Sequence, residues 1–181
     1  LTDATYPSEV FPITVNANLF SSAVNTLTIK PAVGASPVIT GTTPSALIKL
    51  NGADYVTIDG SNSGTNTRNL SFENTNSGTS SSVIWIASTL TNGATNNTVK
   101  NIVAKGNAPP TTLGVLLASG SGAGAVAEFA NTNTRFENNQ VSKAQYGIVV
   151  VGPNGNEMGT LITKNDVGST VAADKIGNRG I

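Results

Sequence analysis

The side chains that most often do chemistry are scarce in this chain, and two types are missing altogether. Its 181 residues contain neither histidine nor cysteine. Ser-His-Asp and Cys-His nucleophile sites are therefore excluded, as is zinc held by nitrogen and sulfur ligands. Four carboxylates, Asp59, Glu73, Glu137 and Asp166, stand singly along the sequence, with no Asp-Asp pair to share a proton. Asp59-Gly60-Ser61-Asn62-Ser63-Gly64 opens like an EF-hand calcium loop. The position that should carry its bidentate Glu is Leu70, so we read a polar turn between strands and leave calcium unsupported. There is no P-loop and no GxGxxG opening a helix. These residues name no catalytic group, no metal and no cofactor.

Composition narrows the class further. Charged residues make up 11% of the chain, against roughly 25% in an ordinary soluble domain, and basic and acidic residues cancel. Neutral balance argues against a nucleic acid or an anionic membrane as partner. No apolar run reaches the ~20 residues that span a bilayer, so membrane insertion is not expected. Gly, Asn, Ser and Thr supply the polarity, which suits tight corners and short strands better than helices. The chain opens on Leu1 with no visible signal peptide, and we expect a processed or excised segment.

Strand signals dominate from residue 25 onward. Short apolar runs at 27–30, 37–40, 46–50, 55–59, 69–73, 82–87, 98–103, 113–118 and 160–164 are separated by Gly, Pro and Asn. The stretch 133–152, NTRFENNQVSKAQYGIVVVG, holds three such runs and two corners, one full turn of a coil. Its pattern recurs. ALIKLN, SVIWIA, LGVLLA, YGIVVV and RGI align through Leu47, Val83, Gly114, Gly147 and Gly180. A second alignment runs through Asn101, Asn139 and Asn165, each a corner Asn with an apolar residue two positions on. A period of about 33 residues also fits helical arrays, but the i, i+3, i+4, i+7 apolar pattern is absent. Residues 1–24 read as a lead-in strand or partial turn, with Pro12 pushing the run 10–15 toward a sheet edge.

The blocks NTVKNIVAKG…LGVLLASG, NTRFENNQVSKAQYGIVVVG and GTLITKNDVGS…IGNRGI resemble right-handed parallel β-helix repeats. LNGADYVTIDGSNSGT with RNLSFENT resembles repeats of large proteins exported by the type IX secretion system. The likeness covers residues 27 to 181. It implies a secreted, cell-surface location and a fold that serves lyases, hydrolases, adhesins and stalks alike. Lyases of this fold pair a carboxylate-bound calcium with a basic residue, and the hydrolases cluster aspartates on adjacent turns. Arg68, Arg135 and Arg179 match such a base by residue type alone. The sorting domain of the exported proteins is not present, and the last strand stops short, so we expect part of a longer solenoid.

Phase then assigns the faces. A lysine does not belong in an apolar core, so Lys49 points outward, with Ile48 and Leu50 inside. The alignment puts Ile84, Ile86, Val115, Leu117, Ile148 and Val150 inside. It leaves Lys49, Trp85, Leu116 and Val149 as an outer column, a candidate ligand-binding surface. The competing expectation is that Ser88–Asn97 or the insert Gly120–Thr132 folds over that column. Asn101, Asn139 and Asn165 are expected to stack as structural corner residues.

The sequence thus predicts an all-β, right-handed parallel β-helix with three short strands per turn over residues 25–181. The function expected of it is a non-enzymatic structural or adhesion module of a large exported surface protein. Glycans or other surface proteins are the expected partners. The alternatives are a fragment of a polysaccharide-acting enzyme and a filament subunit that self-associates end to end.

Overall fold

Alternation of apolar and polar residues over three to five positions makes short strands with one face turned inward. In β5 (Val56–Asp59), Val56 and Ile58 are buried while Thr57 and Asp59 face out. β6 (Leu70–Asn74) and β9 (Ile102–Lys105) repeat this pattern. In the computed structural model, which describes residues 1–153 and 157–181, these strands wind into a parallel β-solenoid of about five turns.

Three sheets run along the coil, each built from one strand per turn. The first stacks β1 (Ile13–Asn16), β4 (Ile48–Asn51), β7 (Ser82–Ala87), β10 (Gly114–Ser119) and β14 (Ile148–Val150). The second stacks β2 (Leu27–Ile29), β5, β8 (Thr98–Lys100), β11 (Arg135–Glu137) and β15 (Leu161–Thr163). The third stacks β3 (Val38–Gly41), β6, β9, β12 (Gln140–Ser142) and β16 (Asp166–Val167). A shorter pair, β13 (Ala144–Tyr146) and β17 (Ile176–Arg179), lies between the third sheet and the first.

Parallel register turns the strands' inward positions into columns that fill the coil. Ile13, Ile48, Ile84, Leu116 and Ile148 form one, and Val15, Leu50, Ile86, Ala118 and Val150 the next. Ile58, Val99 and Phe136 stack beneath the second sheet, and Ile39, Phe72, Ala104 and Val141 beneath the third. Each fully buried Ile, Leu or Phe adds about 1.5–3 kcal/mol, so the stack as a whole holds the coil closed.

The corners need backbone that L-residues seldom adopt. Tyr55, Asn96 and Asn133 stack at φ 57°, 57° and 56°, with Gly159 at 74° on the next turn. Asn101, Asn138 and Lys164 form the second such column, at 58°, 52° and 57°. Asn and Gly enter this left-handed region at least cost, which explains their abundance.

Residues 1–24 add strand to the first turn. β1 is the outermost strand of its sheet, directly after Pro12, which has no amide to donate to a further strand. Thr5 bridges Val38, and the Val38 amide donates to the Ala4 carbonyl at 2.8 Å. Apart from a 3-10 turn at Ala172–Asp174, the described residues hold almost no helix, and none long and apolar enough to cross a membrane.

Two sequence registers need correction. β10 pairs with β7 so that Gly114 faces Ser82 and Leu116 faces Ile84. Leu116 is thus fully buried inside the coil, and Leu117 takes the outer position beside Trp85. Gly114–Ser119 carries no charged residue to set its phase, and a one-residue slip exchanges the two faces. Asn101 likewise stacks on Asn138, while Asn139 stacks on Asn165 and lies over Ile102.

Candidate functional site

The outer column of the first sheet reads Thr14, Lys49, Trp85, Leu117, Val149. Trp85 and Leu117 are not on the surface: they are 4% and 0% exposed. With Ala46 and Ala87 they form a second apolar cluster outside the coil, packed by Leu113, Ala123 and Val149. The cover is the segment 120–132. Trp85 Nε1–H donates to Ser119 Oγ at 3.0 Å, and the same oxygen accepts the Gly124 amide at 3.2 Å. The Gly120 amide closes a turn onto the Ala125 carbonyl, and Ala127 donates to Val151. Of the two expectations, cover by the insert Gly120–Thr132 is the one the structure shows, and the exposed, ligand-binding column is corrected for Trp85 and Leu117, whose cluster that insert packs against.

Glu128 fastens the cover. Its carboxylate accepts hydroxyl hydrogen bonds from Ser121 and Ser88, both at 2.5 Å, and the Ser121 amide at 3.0 Å. The Ser121 and Ser88 bonds hold its pKa at about 2, below the ordinary 4.5. Lys49 lies at the rim with Nζ 4.0 Å from the Trp85 ring centroid. Burial lowers its pKa, and the charge of Glu128 acts against that shift. Sequence reading missed Glu128, Ser88 and Ser119. Their only signal was their place in or beside the inserts 88–97 and 120–132.

The four isolated carboxylates are all matched to cations. Asp59 lies 3.2 Å from Lys100, Glu73 3.2 Å from Lys143, and Glu137 3.0 Å from Arg135 and 3.8 Å from Lys164. Asp166 pairs with Arg68, whose other nitrogens donate to the carbonyl and side-chain oxygens of Asn138. Arg68 thereby ties the loop 60–69 across three turns. Arg135 is engaged by Glu137, and Arg68 and Arg179 stand on different parts of the coil.

Asp59 keeps a lowered pKa. Burial would raise it, and hydrogen bonds from Asn101, Ser61 and Lys100 together outweigh that effect. The calcium-like turn is closed internally, by Ser61 on Asp59 and by contacts among Ser61, Ser63 and Thr67. Among the described residues no three His, Cys, Asp or Glu side chains gather as a metal group.

The asparagines hold the corners from inside. Asn139 donates its amide and Nδ2 to Asn165 Oδ1 at 2.9 and 3.0 Å, accepts from Ile102, and reaches the Val99 carbonyl. Asn165 repeats the motif onto the Phe136 carbonyl at 2.8 Å. Asn74, Asn97 and Asn131, not singled out from sequence, are fully buried and do the same work at other corners.

No protein-family model matches the sequence, and no curated protein or solved structure matches it either. What stands is the geometry of the coil: a parallel solenoid on which Asp59, Glu73, Glu137 and Asp166 are each paired with a basic side chain and Trp85 and Leu117 are covered by the segment 120–132.

Proposed function

We propose that the chain is a non-enzymatic structural and adhesion module of a large exported surface protein, a rod that spaces and presents contact surfaces. The pairing of Asp59, Glu73, Glu137 and Asp166 with basic side chains of the same or nearby turns carries this reading. General acid–base chemistry on a glycan needs two carboxylates converging on one bond, and these four are apart and tied to cations. Close stacking and internal corner bonding fit a load-bearing spacer. Glycans and other surface proteins are the partners such a rod would meet.

The cell-surface placement rests on the motif resemblance to type IX-exported repeats. Antibodies raised against the chain test it. Labelling of intact producing cells is expected, whereas labelling only after lysis would overturn the placement.

A further inference from the structure

The corner between the first and second sheets is uneven. Ala17 donates to the Asn51 carbonyl at 3.2 Å and Gly52 to the Ala87 carbonyl at 2.8 Å, so three successive turns enter it in register. They then diverge. The middle turn crosses by the short link 52–55, while the turns on either side take the longer loops 17–26 and 88–97. The long loops overhang the short one and leave a recess of about 460 Å³, with Asp54 in the short link and walls from Asn18, Leu19, Ser21, Thr91 and Asn92.

The recess is braced. Asp54 Oδ1 accepts both the amide and the hydroxyl of Thr95, at 2.6 and 2.7 Å, which anchors that carboxylate oxygen. Asn92 Nδ2 donates to the Gly52 carbonyl at 2.9 Å, tying one wall to the floor. The opposite wall is a turn in which Asn18 Oδ1 accepts the Phe20 amide at 3.0 Å. After these bonds, Asp54 Oδ2 and Asn92 Oδ1 remain as acceptors, and Asn18 Nδ2 and Ser21 Oγ as donors. Leu19 stands fully exposed at the rim.

Chemistry selects the ligand. No lysine or arginine lines the recess, so a phosphate or carboxylate would meet only Asp54's like charge. A single carboxylate is too few for a calcium site of ordinary affinity. Mixed donors and acceptors beside one apolar side chain suit hydroxyls on a carbon ring, each of which gives and takes a hydrogen bond. We propose that this recess binds one neutral pyranose unit of a glycan, with Asp54 Oδ2 accepting from ring hydroxyls and Leu19 against a C–H face. The inference rests on the adhesion reading above and names its contact point.

The test is an NMR titration of the whole chain with a panel of neutral methyl glycopyranosides, with calcium chloride as a separate arm. At least one sugar is expected to shift amides of 17–21, 52–54 and 89–92. Asp54→Asn keeps the acceptor for Thr95 and replaces Oδ2 with a donor, and is expected to weaken binding about tenfold. Should that variant misfold, Ser21→Ala with Leu19→Ser, both on the exposed wall, must weaken the same titration. No shift with any sugar, shifts confined to other faces, unchanged affinity in the variants, or a response to calcium alone would each overturn the site. The surface-module reading would survive these failures, because it is tested by cell labelling and by the absence of cleavage.

Discussion

Lys49 holds its ammonium 4.0 Å from the centroid of the Trp85 ring, at the edge of a cluster that the segment 120–132 covers. The pair marks where the outer face changes from sealed to wet. Trp85 contributes apolar burial and a hydrogen bond to Ser119, whereas Lys49 adds a cation–π contact at a half-exposed rim. Trp85→Ala is therefore expected to cost about 3–5 kcal/mol and Lys49→Ala about 1 kcal/mol or less. Denaturant midpoints at constant m-value measure both.

The cover has its own pH response. The folded pKa of Glu128 lies at about 2, below its ordinary 4.5. Its stabilising bonds to Ser88 and Ser121 are thus fully present above pH 4.5 and lost as pH falls toward 2. Trp85 is the only tryptophan, so its fluorescence reports the segment directly. An acid-induced shift in this window is expected in the native chain and absent in Glu128→Gln.

Asn139 sits where the turn beneath places Ile102, so it reads as a gap in the core. It is instead a ladder element: its side chain serves the Ile102 amide and the Val99 carbonyl. Asn139→Leu would fill the space and orphan both groups, at about 1–3 kcal/mol each. A loss of that order in equilibrium unfolding is expected, with amide exchange faster at Ile102 than at Ile58.

Backbone contact is equally strict at Gly60. A Cβ there would lie 1.9 Å from the Asn101 carbonyl oxygen, which the ladder holds in place. Gly60→Ala is expected to lower the thermal midpoint, whereas Gly34→Ala, with open space around it, acts only through its positive φ and costs less. Comparing the two melting curves checks this.

The fold was legible because strand alternation and corner asparagines repeat in phase. The phase was readable where a charged residue anchored it: Lys49 correctly placed Ile48 and Leu50 inside. It failed at Leu116, in a run with no charged residue to anchor it. Whether Trp85 was exposed or covered stayed open, because alternation describes a sheet face and carries no information on which distant loop lands on it. The Ala- and Gly-rich insert 120–132 has only Ala125-Val126-Ala127 as an apolar run, yet it meets the cluster through Ala123 and through the Gly124 amide on Ser119. The Asp54 recess was invisible for a different reason: it arises from unequal loop lengths on three turns, and no single stretch of sequence contains it.

We propose that this coil contacts surfaces without chemistry. The most direct measurement incubates the chain with neutral and acidic polysaccharides, reading retention on each and release of reducing ends or unsaturated products. Retention on a neutral glycan with no product is the predicted result. Product that disappears in Glu73→Gln or Asp59→Asn would contradict it and make the paired carboxylates catalytic.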